Sequence, residues 1–587
     1  MQLLQKRGIS SVEEADLFLN PSYERDFLDP FLMRDMRTVC ERILQAIDKD
    51  ENILIYADYD CDGIPGAVIL SDFFQKIGFT NYEVYIPERN IEGYGLNLPA
   101  IEGFIKKNVH LLITIDLGIT AVEEVDVLQK ENIDVIITDH HLPPEVLPKA
   151  FAILNPKIDQ YPSKMLCGAG VVFKLVQGLI TFAEQGDIEA VKDIQKKEKE
   201  NIEIEKETDR QGEEANTKYP KAIKMIKENV HIGWEKWLLD MAGMATLSDM
   251  VPLLGENRAI SFFGMKVLRK TPRAGLQKLF SKMKIDFRYL SADDLSFMII
   301  PKINAASRMD SPMRAYELLS SVDIAKASAL AEHLIKISDD RKTLVKGIMR
   351  EVHKIFEKKE ITESIREVIV IGNPQWKVGV LGLVAGKLVD QYKRPVFVWG
   401  ADENDCIRGS CRSPGSVSVV ELMSSAKDYF NEFGGHELAG GFSTSREKVP
   451  FLEGVLSKTF FEIKKEETKE NMRYDLEMKL SEVNMKNWRD LEKLEPFGLG
   501  NPKPIFLFKS VIIEKIKKFG KNGGEHLEIS FRDTVGNKGV AISFFSSLDS
   551  FSVNTLAEGM SVDLLANFDL SRFRGRAELR LRVVDVF

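Results

Sequence analysis

The N-terminal part of the chain repeats one pattern, in which a short apolar run is followed by a segment with helical spacing. The apolar runs are NILIYAD, YEVYIP, LLITIDLG and DVIITDHH, and helix-like segments such as GAVILSDFFQKIGF separate them. Alternating strands and helices predict a parallel sheet covered by helices. Ligands of such sheets bind beyond the carboxyl ends of the strands. We therefore predict an α/β protein with a site at that edge.

Acidic and histidine side chains stand where the apolar runs end. Three aspartates at alternate positions follow the first run, one ends the third, and an Asp-His-His triplet follows the fourth. A further aspartate ends the helix-like run ATLSD. Like charges this close destabilise a fold unless something positive lies among them. The set consists of Asp58, Asp60, Asp62, Asp116, Asp139, His140, His141 and Asp249.

The stretch DYDCDG has the spacing of an EF-hand calcium loop. Position 12 of such a loop should be Glu, but counting from Asp58 it is Ile69, and a strand rather than a helix precedes the loop. Carboxylate and imidazole ligands suit Mn²⁺ or a similar ion better than structural zinc. So many acids fit two ions ~3.5–4 Å apart that share a bridging carboxylate. The alternative is a set of solvated aspartates at strand ends.

Composition restricts the class of protein further. A net charge of −9 argues against a globally basic nucleic-acid binder, although a local basic face can still bind one. No apolar run approaches the ~20 residues of a membrane span, and the first residues lack the apolar core of a signal peptide. Five scattered cysteines indicate a reducing compartment. We expect a cytoplasmic monomer.

A chain of 587 residues is too long for one hydrophobic core. We predict an α/β catalytic domain over 1–312, a connecting helix over 313–360, a second α/β domain over 361–465 and a small all-β barrel over 474–587. The segment 183–228 is highly charged and poor in aromatic residues. It is predicted to be a solvated insertion, partly helical or disordered, with an interaction segment as the alternative.

Basic clusters in the two C-terminal domains predict contacts with phosphate. RGSCRSPGS offers Arg408, Ser410 and Arg412, and guanidinium groups and exposed amides bind phosphate oxygens. FGGHELAGGF places His436 after two glycines, which let a backbone approach a ligand closely. RFRGRAELRLR and KIKKFGK interleave basic and aromatic residues, as a groove for a single strand would. The alternatives are solvated arginine loops and a solvated cationic face.

In their order along the chain, the motifs DYDCDG, DLG, TDHH, SDMVPL and GGHELAGG resemble those of the DHH phosphoesterases. The stretches EGYGL, INAASRM, RGSCRS and LEPFGLGNPKPIF resemble the single-strand-specific 5′→3′ DNA exonucleases of that family. The resemblance covers the whole chain except the charged insertion. It implies a DHH domain, a connecting helix, a DHHA1 domain and an OB fold.

The resemblance also implies roles for individual residues. Asp116 would bridge two divalent ions, Mn²⁺ or Mg²⁺, and His141 and His436 would act beside the scissile phosphate. Asp58 and Asp139 would support the ligands, although Asp58 could itself bind a metal. The implied metal ligands are Asp60, Asp62, Asp116, His140 and Asp249, and the implied substrate-binding residues are Arg89, Asn304, Arg308, Arg408, Ser410, Arg412 and Gly435.

The implied activity is hydrolysis of single-stranded DNA from its 5′ end, with release of 5′-mononucleotides, in DNA recombination and repair. A helicase and a single-strand-binding protein are the expected partners. Two other functions remain open, an enzyme for very short oligonucleotides or small phosphate compounds and a DNA-binding scaffold without catalysis. The C-terminal barrel argues against the first, because a small substrate needs no groove beyond the site. The complete set of proposed ligands argues against the second.

Overall fold

The computed structural model describes residues 2–89, 91–158, 160–185, 218–360, 366–402, 405–463, 474–520, 526–553, 555–572 and 577–587. The chain forms two compact units. The larger unit comprises Asp29–Asp249 and Phe263–Thr468, and the barrel unit comprises Met1–Leu28, Met250–Phe262 and Lys469–Phe587. Within the described ranges, no helix has the length and apolar character needed to cross a membrane.

A five-stranded parallel sheet forms the first half of the larger unit. Its order is β2-β1-β3-β4-β5, so the order reverses between β1 and β3, where ligands of such sheets bind. Strands β1 and β3 are completely buried, which explains their continuous apolar runs. The predicted parallel α/β sheet is confirmed, and a fifth strand too short to be recognised from its pattern completes it. The strands are β1 Ile53–Ala57, β2 Tyr82–Tyr85, β3 Leu111–Ile115, β4 Asp134–Thr138 and β5 Ala152–Leu154.

A mixed sheet forms the second half of the larger unit, in the order β6-β7-β8-β10-β9. Strands β6 and β7 are parallel, and the pairs β7–β8, β8–β10 and β10–β9 are antiparallel. The strands are β6 Ile369–Gly372, β7 Val396–Ala401, β8 Ile407–Arg412, β9 Glu432–His436 and β10 Ala439–Thr444.

The segment predicted as one connecting helix over 313–360 contains two helices, Met313–Ser320 and Ile324–Glu360. Asp323 causes the restart, because its Oδ1 accepts hydrogen bonds from the backbone amides of Ala325 and Lys326. Of the predicted charged insertion, 186–217 lies outside the described residues. The helices Gly168–Gln185 and Pro220–Asn229 occupy its two ends.

Helices connect the strands of the larger unit. The α-helices are Met36–Asp48, Gly63–Ile77, Leu98–Lys106, Val122–Lys130, Gly168–Gln185, Pro220–Asn229, Leu239–Ser248, Gly255–Leu268 (which begins in the barrel unit), Ala274–Met283, Ala292–Asp294, Ile300–Met309, Met313–Ser320, Ile324–Glu360, Leu381–Tyr392, Val419–Ser425 and Val449–Ile463. A π-helix at Leu295–Ile299 and short 3₁₀ turns at Pro30–Leu32, Trp234–Leu238, Phe287–Tyr289, Val378–Val380 and Lys427–Tyr429 complete this set.

The barrel unit contains a six-stranded sheet in the order β11-β12-β13-β14-β16-β15. An additional pairing between β12 and β15 closes the sheet, as in an OB fold. Strand β13 alternates buried and half-buried residues, which is typical of a strand with one face in a core. The strands are β11 Leu476–Glu477, β12 Phe506–Phe519, β13 His526–Arg532, β14 Lys538–Phe544, β15 Ser561–Ser571 and β16 Glu578–Val586, and the helices are Gln2–Gln5, Val12–Leu19, Tyr23–Asp26 and Met485–Glu492, with a 3₁₀ turn at Leu480–Glu482.

The N-terminal 28 residues belong to the barrel unit, whereas the sequence analysis placed them in the catalytic domain over 1–312. Leu4 and Ala15 lie in the core of the barrel. The guanidinium of Arg258 lies 3.8 Å from the ring centroid of Phe18 and donates a hydrogen bond to the carbonyl of Leu494. These contacts join segments that are far apart in sequence, so local patterns do not reveal the boundary.

Candidate metal centre and phosphate site

Acidic and histidine side chains converge beyond the carboxyl ends of β1, β3 and β4, joined by one aspartate from a helix end. The Nε2 of His140 lies 3.1 Å from Asp116 Oδ1, 3.6 Å from Asp249 Oδ2 and 3.7 Å from Asp62 Oδ2. Within each of three groups, one ligand atom from each residue lies within 4.8 Å of those from the other two residues. The groups are Asp58 with Asp60 and Asp116, Asp62 with His140 and Asp249, and Asp116 with His140 and His141.

Three of these ligand atoms are buried and have no hydrogen-bond partner among the described residues: Asp58 Oδ1, Asp116 Oδ1 and His140 Nε2. Lone pairs buried in this way cost free energy unless a cation or a donor satisfies them. Asp116 belongs to two of the three groups, and His140, 3.1 Å from its Oδ1, belongs to the third, so the carboxylate of Asp116 could serve two sets of ligands. The arrangement of carboxylate and imidazole donors therefore fits a pair of divalent metal ions.

Burial and mutual repulsion perturb the ionisation of these groups. Burial, followed by the charge of Asp62, raises the pKa of Asp116 well above its usual range and that of Asp249 to about 9. Burial, followed by the charge of Asp60, raises the pKa of Asp62 to about 6. Burial lowers the pKa of His140 to about 3, which keeps the imidazole neutral and able to bind a metal. Cations among these carboxylates would relieve the repulsion.

Local backbone structure orients the candidate ligands toward one another. Both carboxylate oxygens of Asp62 accept hydrogen bonds from the N-terminus of the helix Gly168–Gln185, at 2.6 Å and 2.7 Å. Asp116 has φ +63°, a conformation that few non-glycine residues adopt and that is typical of functional sites. A Cβ at Gly63 would lie 2.4 Å from the carbonyl oxygen of Asp58, so the acidic loop requires glycine at that position.

Asn304 supports the same acidic loop. Its Oδ1 accepts a hydrogen bond of 2.8 Å from the backbone amide of Cys61, between Asp60 and Asp62. The resemblance implies that Asn304 binds the substrate, whereas in the structure its side-chain oxygen accepts a hydrogen bond from the protein backbone. This hydrogen bond ties the Asn304 side chain to the loop that carries two candidate metal ligands.

Asp139 fixes the histidine pair. One of its oxygens, Oδ1, accepts hydrogen bonds from the backbone amides of His140 and His141 and lies 2.8 Å from the Nδ1 of His141. The other accepts a hydrogen bond from the amide of Ile119. Burial opposes the charge on Asp139, but the contacts with His141 prevail and lower the pKa of the carboxyl. Because Nδ1 faces Asp139, the Nε2 of His141 is the atom available to a substrate.

Three arginines and a serine form a second cluster in the larger unit, which we call the guanidinium pocket: Arg89, Arg308, Ser410 and Arg412. Arg89 lies 4.9 Å from the ring centroid of Tyr59, within the acidic loop. Burial, followed by the charge of Arg89, lowers the pKa of Arg308 to about 9. Burial lowers the pKa of Arg412 as well. Cations gathered in this way fit an anionic ligand such as a phosphate.

Ser410 and Arg412 are two positions apart in β8, so their side chains lie on the same face of the strand. A Cβ on Gly382 would lie 3.0 Å from Arg412 Nη2 and 3.6 Å from Ser410 Oγ, so both side chains reach the first turn of the helix Leu381–Tyr392. Arg408 shares that face, but its Nε lies 2.9 Å from Asp402 Oδ2. This ion pair occupies Arg408, so we leave it out of the guanidinium pocket.

His436 and His141 come together across the larger unit. Their rings are nearly parallel, at 7°, with centroids 6.5 Å apart. Gly435 precedes His436 in β9 with φ +141°, and a Cβ there would lie 2.4 Å from the carbonyl oxygen of Ala439. Only glycine fits this position in the hairpin that presents His436.

Several side chains near the metal centre are not among the site residues predicted from the sequence. Tyr94 has its hydroxyl 3.3 Å from both the Asp116 carbonyl and the Nδ1 of His141. Asn155 donates a hydrogen bond of 3.0 Å to the carbonyl of His141, and Lys157 donates one to the carbonyl of His140. Tyr94 lies in the quoted EGYGL motif, whereas Asn155 and Lys157 follow β5, whose three residues give no periodic signal.

Fold and site together define a phosphoesterase of the DHH type. Residues 52–206 match the DHH family N-terminal domain, residues 365–460 match the DHHA1 domain, and residues 474–585 match the RecJ OB domain. The chain is 31% identical to the single-stranded-DNA-specific exonuclease RecJ of Bacillus subtilis, over 99% of this chain and 67% of that protein. It belongs to the RecJ family.

Other relatives agree with this assignment. The single-stranded-DNA-specific exonuclease RecJ of Haemophilus influenzae is 28% identical, over 99% of this chain and 95% of that protein. The crystal structure of RecJ in complex with Mn²⁺ from Thermus thermophilus has the same fold, with a TM-score of 0.75, 24% identity and coverage of 100% of this chain and 75% of that chain. An exonuclease RecJ bound to manganese gives a TM-score of 0.58 at 25% identity, over 74% of this chain and 96% of that chain.

Proposed function

We propose that this chain hydrolyses single-stranded DNA from its 5′ end and releases 5′-mononucleotides, using two divalent ions, Mn²⁺ or Mg²⁺. One observation carries the proposal: buried, unsatisfied ligand atoms converge in the same compact unit as the guanidinium pocket. The named activity of the relatives, single-stranded-DNA-specific exonuclease, supports it.

Two sets of ligands would hold the ions. Asp58, Asp60 and Asp116 would bind one ion, and Asp62, His140 and Asp249, together with Asp116, would bind the other. When bound, such ions stabilise charge on a phosphate and lower the pKa of a water molecule. Asp58 thus joins the proposed ligands, because its carboxylate lies in the same group as that of Asp60.

The histidines would act on the phosphate that is cut. Asp139 fixes the ring of His141 through Nδ1 and leaves Nε2 to hold a proton toward a phosphate oxygen. The ring of His436 lies parallel to it on the second half of the same unit. Together the two rings would orient the scissile phosphate against the carboxylates.

The guanidinium pocket would bind the 5′-terminal phosphate. Arg412 and Ser410 meet at the N-terminus of a helix of 12 residues, where backbone amides and the helix dipole favour an anion. Arg89 and Arg308 would add charge-assisted hydrogen bonds. The guanidinium pocket and the metal centre belong to the same compact unit. A 5′ end bound in the pocket would therefore determine which phosphodiester bond lies at the metal centre and is cut.

The proposed activity also implies partner proteins and a location in the cell. A nuclease restricted to single strands requires another activity, such as a helicase, to separate duplex DNA. A single-strand-binding protein would present the strand, and we propose that the chain works as a cytoplasmic monomer. The four predicted segments would serve as the catalytic domain, the connector, the phosphate-binding domain and the nucleic-acid-binding barrel.

Replacing the proposed bridging ligand tests this function. Asp116→Ala should lower the release of nucleotides from a 5′-phosphorylated single strand with Mn²⁺ by more than about 100-fold, since even partners outside the ligand set cost ~10–100-fold. Asp126→Ala is the control, because Asp126 is a half-buried aspartate that pairs with Lys130. Full activity of Asp116→Ala would refute the two-metal site.

A further inference from the structure

The loop between β2 and the helix Leu98–Lys106 carries two side chains that reach the proposed site. Arg89 belongs to the guanidinium pocket, and its guanidinium lies 4.9 Å from the ring centroid of Tyr59 in the acidic loop. Tyr94 has its hydroxyl 3.3 Å from the Nδ1 of His141. One loop therefore reaches both the guanidinium pocket and a histidine that is proposed to act on the scissile phosphate.

Glu92, in the middle of this loop, ties it through both oxygens of its carboxylate. Its Oε1 accepts hydrogen bonds of 2.5 Å from the hydroxyl of Tyr85, in β2, and of 3.1 Å from the Nδ2 of Asn97. Its Oε2 accepts one of 2.6 Å from the backbone amide of Glu88. Burial, followed by the hydrogen bond to Glu92, raises the pKa of Tyr85, so this hydroxyl stays protonated and donates. Three donors thus converge on one carboxylate.

Asn97 extends the same hydrogen-bond network to the interior of the sheet. Its Oδ1 accepts a hydrogen bond of 2.9 Å from the amide of Ala100 and so caps the helix Leu98–Lys106. Its Nδ2 also donates to the hydroxyl of Tyr56, at 3.1 Å, and that hydroxyl donates to the carbonyl of Gly95, at 2.9 Å. Tyr56 is completely buried in β1. The network therefore joins the loop to two strands, β1 and β2.

These contacts fix the backbone next to both functional side chains. The Glu88 amide directly precedes Arg89 along the chain, and the Gly95 carbonyl directly follows Tyr94. Hydrogen bonds to an ionised carboxylate are stronger than those to a neutral amide. A glutamine in place of Glu92 would have one acceptor oxygen and would turn its NH₂ group toward at least one of the three donors.

We propose that Glu92 is a positioning residue, which holds the guanidinium pocket and the metal centre at the spacing that selects the first phosphodiester bond of the strand. It acts through Arg89 and Tyr94. When the loop is loosened, a 5′ phosphate bound in the pocket no longer keeps a single bond at the metal centre, so the next bond is cut as well. The inference rests on the proposed function and adds the residue on which the length of the product depends.

The test measures the length of the first product. Full-length protein is incubated in Mn²⁺ with single-stranded DNA whose 5′-terminal phosphate is labelled, and products formed early in the reaction are separated by length. The variant is Glu92→Gln, which keeps the shape of the side chain. Glu102→Gln is the matched control, because it makes the same change at an exposed residue of the adjacent helix Leu98–Lys106. Tyr85→Phe removes one donor of the network and is measured in the same way.

Glu92→Gln should release labelled dinucleotide as well as mononucleotide, and its kcat/KM should fall roughly 10- to 100-fold, the effect of losing one hydrogen bond to a charged group. Tyr85→Phe should shift the products in the same direction, and Glu102→Gln should behave as the unmodified chain. A purely structural role would reduce the amount of active protein without changing the length of the product.

Mononucleotide as the only labelled product of both Glu92→Gln and Tyr85→Phe would overturn the positioning role, whatever the rate. If Glu92→Gln does not fold, the product of Tyr85→Phe alone decides. Dinucleotide released by Glu102→Gln would also overturn the role, because the effect would then follow from the lost charge rather than from the network.

Failure of the positioning role and failure of the proposed function look different. If the unmodified chain releases no labelled nucleotide from single-stranded DNA with Mn²⁺, the proposed function fails, and the positioning role fails with it. If the unmodified chain releases mononucleotide and both network variants do the same, only the positioning role fails.

Discussion

Replacing Asn304 with alanine removes the acceptor of one buried backbone amide at the metal centre. The Cys61 amide donates to Asn304 Oδ1 at 2.8 Å, and the Cys61 side chain is fully buried between Asp60 and Asp62. A buried N–H without a partner costs about 1–3 kcal/mol. Because 1.4 kcal/mol is a factor of ten, amide exchange in the loop 58–66 should rise roughly 5- to 150-fold. Loosening two ligands should weaken Mn²⁺ binding about 10- to 100-fold.

Two measurements check this prediction. Hydrogen–deuterium exchange followed by mass spectrometry, in chelator, reports the loop without its metal, and calorimetric titration with Mn²⁺ reports the affinity. Ser307→Ala is the control, since Ser307 is buried on the same helix and its hydroxyl lies 3.5 Å from the Asn304 carbonyl. Normal exchange of the loop in Asn304→Ala would refute the reasoning. Faster exchange along the whole chain would point to general unfolding instead.

The remaining predictions concern the guanidinium pocket and the two histidines. Arg412→Ala should raise KM for 5′-phosphorylated strands by about 10- to 100-fold without changing KM for 5′-hydroxyl strands, because hydrogen bonds to charged groups contribute about 1.5–3 kcal/mol, and Arg408→Ala should leave both KM values unchanged. Asp139→Asn should lower kcat more than KM, since an amide has one acceptor oxygen where a carboxylate has two; equal changes would contradict that role. Gly435→Ala should lower the midpoint of thermal unfolding by several degrees, because its Cβ would contact a carbonyl, whereas Gly434→Ala has open space and should not.

Local patterns were sufficient to predict the parallel sheet and the acidic edge. Buried parallel strands are continuous apolar runs, and their carboxyl ends share one edge, so Asp62, Asp116 and His140 could be assigned to one region from the sequence. The same pattern could not decide whether Asp58 is a ligand. That question depends on how the chain turns after β1, which places Asp58 in one group with Asp60 and Asp116.

Other features depend on contacts between distant segments. Arg408 and Arg412 have the same alternation along β8, and the ion pair of Arg408 with Asp402 distinguishes the two in the structure. The assignment of Asn304 needed the distance to Cys61, which lies 243 residues away in the sequence. Packing of the N-terminal 28 residues on the barrel likewise has no periodic signal.

The most direct test of the proposed activity follows the products from each end of the strand. Single-stranded and duplex DNA, each labelled at either the 5′ or the 3′ end, are incubated with the unmodified chain in Mn²⁺, in Mg²⁺ and in chelator. We predict immediate release of a labelled mononucleotide from the 5′-labelled single strand, gradual shortening of the 3′-labelled single strand, and no reaction with duplex or in chelator. Mononucleotide release from the 3′ end first, or hydrolysis that continues in chelator, would contradict the account.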